Sequence, residues 1–213
     1  FSNEVSIQDI EENFLHELNF GFEGNPQGED EQRKLKTSNL ISLGERLKKE
    51  HSNFTNSELF VGMMNAVVSD KEITELLSKK PSLFKGKYLL ATPSDEDLSK
   101  LGWDNQAHLT RKILIQKSDC LFSSNANTIK WGLGQFEDDV NKYVDEFKSL
   151  KPCIWGSDSH TFDELFTKNE ERKLWIKADP TYEGLKQIIY EPDERVKIGN
   201  RKPDEKKIYD VID

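Results

Sequence analysis

The chain has 213 residues, 30 Lys plus Arg against 39 Asp plus Glu, and a formal net charge of −9. Hydrophobic residues make up 35% and charged residues 32%, with 12 Phe, 5 Tyr and 4 Trp as bulky core material, which is a folded rather than a disordered composition. The sequence shows no apolar run near the roughly 20 residues that span a bilayer and no basic-then-apolar leader, and its acidic balance argues against broad wrapping of nucleic acid.

In chain order, Ser6 is a helix N-cap with Asp9 three residues on, and Ile10, Phe14, Leu15 and Leu18 recur at helical spacing. Residues 19–36, with Gly21, Gly24, Pro26 and Gly28, predict a mobile polar surface loop. Thr37 or Ser38 starts a second helix with Leu40, Leu43 and Leu47 on one face. A third starts near Ser69-Asp70, carries Ile73, Leu76 and Leu77, and ends before Pro81. Four short apolar stretches then predict buried strands at Tyr88–Ala91, Cys120–Phe122, Cys153–Trp155 and Leu174–Ile176. Helical segments at 105–117, 126–131 and 137–149, and a short one near 162–166, separate most of them. That alternation requires crossover connections and predicts an α/β domain with a mostly parallel sheet. A last helix over 181–190 has Thr181 as cap and Pro192 as stop, and 193–213 thins into a charged tail.

The chemistry-bearing residues are few. Of the four histidines, His16 and His51 lie in charged helical segments where a solvated imidazole is the ordinary reading. Cys120 and Cys153 lie far apart in a Lys-rich chain, which favours a reduced, cytoplasmic setting with both as small buried strand residues. His160 differs, because Gly156-Ser157-Asp158-Ser159-His160 directly follows the predicted strand Cys153–Trp155. Residues two apart at a strand end point the same way, so Asp158 and His160 can converge above the sheet, where α/β enzymes place their sites. A carboxylate with an imidazole suits zinc, manganese or iron. A surface turn capping the 162–166 helix is the competing reading. His108, which opens a helix after Trp103, either faces the same site or hydrogen-bonds locally. Lys34, Lys36, Arg46, Lys48 and Lys49 form a modest basic cluster, ordinarily a solvated helix face. The sequence holds no phosphate-loop motif: its single Gly-Lys pair, Gly86-Lys87, has Pro81 and Tyr88 where a Gly and a Ser or Thr belong.

Trp155-Gly156-Ser157-Asp158-Ser159-His160 resembles the last metal motif of the PHP (polymerase and histidinol phosphatase) domain. The run from Trp175-Ile176-Lys177-Ala178-Asp179-Pro180-Thr181 to Glu191-Pro192 looks like one prokaryotic subgroup, the TrlF-like proteins, in which a PHP domain precedes a P-loop ATPase of SMC or ABC type. Gly62–Val68, His108–Lys112 and Gln116–Asn125 support the likeness along most of the chain. The resemblance implies the C-terminal portion of a distorted (β/α)₇ barrel, with Asp158 and His160 as the final Asp-x-His metal ligands and His108 as a candidate third. It implies divalent metal ions (zinc, manganese or iron), phosphoester hydrolysis that extends to nucleic acid, and an ATPase domain of the same polypeptide as partner. The family pattern opens on a His-x-His strand, which this sequence lacks; together with the start at Phe1, this predicts a piece that begins after the early ligands. On that reading 1–198 is the PHP-like part and 199–213 a linker, the piece alone is inactive, and an uncovered sheet edge favours oligomers. The alternative is a non-catalytic scaffold or sensor that regulates the ATPase.

Overall fold

Helix starts are written into the chain by short oxygen-bearing side chains. The Ser6, Ser57, Ser69 and Thr181 hydroxyls and the Asn125 and Asp139 side chains each accept a backbone N–H from the first turn of the helix that follows. The computed structural model describes residues 1–21, 31–94, 96–103, 108–156, 159–165 and 172–203. The chain divides into two compact units, Phe1–Tyr88 and a second that begins at Leu89.

The first unit is helical: α1 (Ile7–Asn13), α2 (Thr37–Glu50), α3 (Glu58–Asn65), α4 (Asp70–Lys79) and the single turn α5 (Pro81–Phe84). The expected leucine face of α2 is its buried face, where Leu43 and Leu47 join Phe20 and Val61 in one core and Leu40 packs against it. Phe1, Phe14, Phe84 and Tyr88 form an aromatic cluster with ring centroids 5.3 to 6.4 Å apart. Helical spacing from Ile10 to Leu18 predicts one helix, but α1 stops at Asn13 and a 3₁₀ turn takes over at Leu15–Glu17. Helix α3 escapes the sequence pattern because Phe60, Met63 and Met64 face outward while only Val61 and Gly62 are buried. Within the expected 19–36 loop, Asn19 bridges Lys34 and Gly21 bridges Val67, and 22–30 lie outside the described residues.

The second unit is mixed α/β around an all-parallel three-stranded sheet in the order β1 (Ala91–Pro93), β2 (Cys120–Phe122) and β3 (Cys153–Ile154). The crossovers are α6 (Leu109–Lys117) between β1 and β2, then α7 (Ala126–Gly132) and α8 (Val140–Phe147) between β2 and β3. Leu121 and Cys153 of the sheet pack with Leu98, Ile115, Trp131, Tyr143 and Phe147, and Trp131 lies 4.8 to 5.3 Å from Trp103, Tyr143 and Phe147 by ring centroid. The strand expected at Tyr88–Ala91 is displaced to Ala91–Pro93. Leu90 opens the ladder with its carbonyl only: that oxygen takes the Asp119 and Cys120 amides, while its N–H is spent on Asp119 Oδ2 at 2.7 Å.

The expected strand at Leu174–Ile176 does form, as β4 (Lys173–Ile176), but it pairs antiparallel with β5 (Val196–Gly199) outside the parallel sheet. The connection is a reversal through α9 (Tyr182–Lys186), a 3₁₀ turn at Gln187–Ile189 and α10 (Pro192–Arg195), closed by the Lys177 N–H on Arg195 O at 2.8 Å. Pro192 does not simply stop the preceding helix. It opens α10 at a first-turn position, where its missing N–H costs nothing. The charged tail expected from 193 therefore begins as structure, and the linker expected at 199–213 starts at the last residue of β5; 204–213 lie outside the described residues. Over 162–165 the chain forms turns rather than the expected helix, and 166–171 are likewise outside. No helix among the described residues is long and apolar enough to cross a membrane.

Helix α8 ends on Lys148 in the left-handed region (φ 74), a conformation that places Cβ too close to the following carbonyl oxygen. Lys148→Gly is expected to raise stability by about 1 kcal/mol, read as a higher urea midpoint at unchanged slope. A lower midpoint would show that the lysine side chain itself anchors this end.

Candidate functional site

The three parallel strands end side by side, and the ladder runs one residue beyond them. The Ser94 N–H donates to Phe122 O and the Ser123 N–H to Ile154 O, both at 3.0 Å. These two bonds hold Ser94 and Ser123, 4% and 1% exposed, at the C-terminal rim. Beyond β2, Ser123 Oγ accepts the Asn125 N–H at 3.2 Å, and Asn125 Oδ1 accepts the N–H groups of Asn127 and Thr128 at 3.0 and 3.1 Å. Beyond β1, the chain is tied to α7: Thr128 Oγ1 donates to Glu96 O at 2.8 Å and accepts the Leu98 N–H at 3.0 Å. Asp97 accepts from Ser99 and from Asn127 Nδ2, and these bonds hold its carboxyl down to about 2.

Between these ends lies a hollow of about 450 Å³ lined by Ser94, Ser123, Ser124, Asn125, Ala126, Trp155 and Arg172. Arg172 Nη1 donates to Ser124 Oγ at 3.1 Å. Two polar atoms of the lining, Ser94 Oγ and Trp155 Nε1, are buried without a hydrogen-bond partner, and so is Ser159 Oγ further along the segment leaving β3. Such groups are costly to leave unmet, and they gather where bound water or ligand completes them. A second hollow of about 430 Å³ lies in the β4–β5 connection, with Lys177, Asp179 and Arg195 among its lining residues. Its charges are mixed, and Arg195 is already engaged by Glu191 Oε2 at 2.7 Å.

Of the expected metal ligands, Asp158 lies outside the described residues. His160 is exposed, and its backbone N–H donates to Glu164 Oε2 at 3.0 Å. His108 is the half-buried N-cap residue of α6, makes no side-chain capping bond, and sits 6.1 Å from Trp103 by ring centroid. Among the described residues, no three His, Cys, Asp or Glu side chains gather closely enough to hold a metal ion. The described residues alone therefore do not complete a donor set for zinc, manganese or iron. Both cysteines are buried free thiols, as the strand positions imply.

No sequence motif marks the polar hollow, because Ser94, Ser123-Ser124-Asn125, Trp155 and Arg172 are scattered along the chain. The signal available was positional: the lining at 94, 123–126 and 155 consists of the residues immediately after consecutive parallel strands. Compared with protein-family models, curated proteins and solved structures, the chain has no match.

Proposed function

We propose that the chain is part of a metal-dependent phosphoesterase module, a nuclease among the options, attached to a P-loop ATPase in the same polypeptide. One observation carries this reading. The polar hollow lies at the C-terminal ends of three parallel strands, and β3 runs through Trp155 and Gly156 into the segment bearing Asp158 and His160. Ligand sites of open and closed parallel sheets occupy that end, because the loops there are free to vary while the sheet holds them in place. The reading places the three strands in a larger (β/α)₇ barrel, with Asp158 and His160 contributing to a metal site completed by further ligands, His108 being the candidate within this chain.

The test is metal content together with hydrolysis of bis(p-nitrophenyl) phosphate and single-stranded nucleic acid, on the whole polypeptide. Asp158→Asn and His160→Ala are each expected to lower the metal-dependent rate by about a hundredfold or more while circular dichroism stays unchanged. Rates unaffected by both substitutions, or a folded protein that neither retains metal nor hydrolyses either substrate, would overturn the reading and favour the scaffold role.

A further inference from the structure

The hollow behind Ser94 has a one-sided hydrogen-bonding character. Ser124 Oγ already accepts from Arg172, so its hydroxyl hydrogen remains to donate. Asn125 Oδ1 is committed to the N–H groups of Asn127 and Thr128, which leaves only that amide's NH₂ for a ligand. Trp155 Nε1 is a donor by nature and has no acceptor, and the buried Ser94 hydroxyl is unpaired as well. Arg172 is the one charged residue among the described lining, and Ser124 is its hydrogen-bond partner there. In a chain of net charge −9, a hollow that presents a guanidinium and several spare donors selects a ligand made of acceptors.

We propose that this hollow is an oxoanion subsite that holds a phosphate group through the Arg172 guanidinium, the Ser94 and Ser124 hydroxyls and the Trp155 indole N–H, without requiring a metal ion. It deepens the phosphoesterase reading but stands on separate residues, so the two can fail independently. The shared chemistry is the phosphate group, and its source is either free phosphate or a phosphodiester.

The test is titration of the full chain, in the presence of a chelator, with inorganic phosphate in one arm and a dinucleoside monophosphate in the other. The Trp155 indole N–H resonance, identified by its loss in Trp155→Phe, reports occupancy. A saturable downfield shift is expected in at least one arm, and the stronger arm identifies the source. Arg172→Gln is expected to weaken binding by about tenfold or more and Ser94→Ala by about threefold. Arg172 is exposed, so its replacement leaves the fold in place if the buried Ser94 change does not. No saturable shift in either arm, an equal shift with chloride at matched ionic strength, or wild-type affinity in Arg172→Gln would overturn the assignment. Binding in chelator by a protein that hydrolyses nothing would uphold this subsite and remove the phosphoesterase.

Discussion

Gly44→Ala is expected to destabilise the protein by about 3 kcal/mol, although helix propensity by itself predicts a gain of about 1 kcal/mol. The sign turns on how α2 and α3 meet. A Cβ on Gly44 would lie 1.8 Å from Glu58 O, and a Cβ on Gly62 would lie 1.8 Å from Leu40 O. Both obstacles are backbone, so no rotamer change relieves them and the helices must move apart. That movement would also loosen Leu43, Leu47 and Val61, which fill the core beside the crossing. Gly62→Ala is expected to cost as much, and the double substitution little more than either one. Once the helices have separated, the second methyl meets open space, and neighbouring sites do not add. Urea midpoints of the three variants check this. A stabilised Gly44→Ala would show that the two helices do not touch at these glycines.

Stability is expected to fall from about pH 9 upward, the work of two buried thiols opposed by one buried amine. Burial pushes Cys120 and Cys153 from 9.0 up to about 12. Between those values the folded state holds protons that the unfolded state has lost, so each thiol lowers stability by about 1.4 kcal/mol per pH unit. Lys151 acts in the opposite sense. It is 1% exposed, and its Nζ donates to Ser118 O at 2.6 Å and Ser149 Oγ at 2.9 Å, yet burial still lowers it from 10.5 to about 8. From about pH 8 to 10.5 the unfolded state holds the extra proton, and this residue's contribution rises with pH. Two falling slopes outweigh one rising slope, and above 10.5 nothing offsets them. Burial also raises the Tyr143 hydroxyl, which adds to the decline. Replacing Cys120 and Cys153 by Ala is expected to flatten the fall, and Lys151→Met to steepen it between pH 9 and 10.5. Chemical denaturation across that range checks both, and a wild-type stability that holds constant there would contradict the buried, protonated thiols.

The parts legible in the sequence share one property: their causes lie within a few residues. Ser6, Ser69 and Thr181 announce their helices because a cap is a bond to an N–H two or three positions on. Cys120–Phe122 reads as a strand because its short apolar run puts Cys120 and Leu121, both buried, in the middle of the sheet. The misses have distant causes. Helix α3 is held by a glycine contact with α2, and its outward Phe60, Met63 and Met64 blur the amphipathic pattern. Strand β5, Val196–Gly199, has a charged lysine in its centre and exists because β4 pairs with it, with Trp175 Nε1 donating to Gly199 O at 3.0 Å. The site divides in the same way. Asp158 and His160 stand out as a two-residue motif, whereas Ser94, Ser124, Trp155 and Arg172 meet only after β1, β2 and β3 lie side by side.

By itself, then, the chain's order of residues determined the alternation of helices and strands in the second unit and about half of the helix starts, because caps and periodicity act over a single turn or pleat. It also determined the burial expected of Cys120 and Cys153, since each sits in a short apolar strand. Only the tertiary structure decided that β4 leaves the parallel sheet for β5, that glycines rather than leucines set the approach of α2 to α3, and that a donor-lined hollow opens at the strand ends. The physical reason is common to all three. Strand pairing, backbone-to-backbone approach and the convergence of loop ends join residues tens of positions apart, and no local preference of either partner records the other.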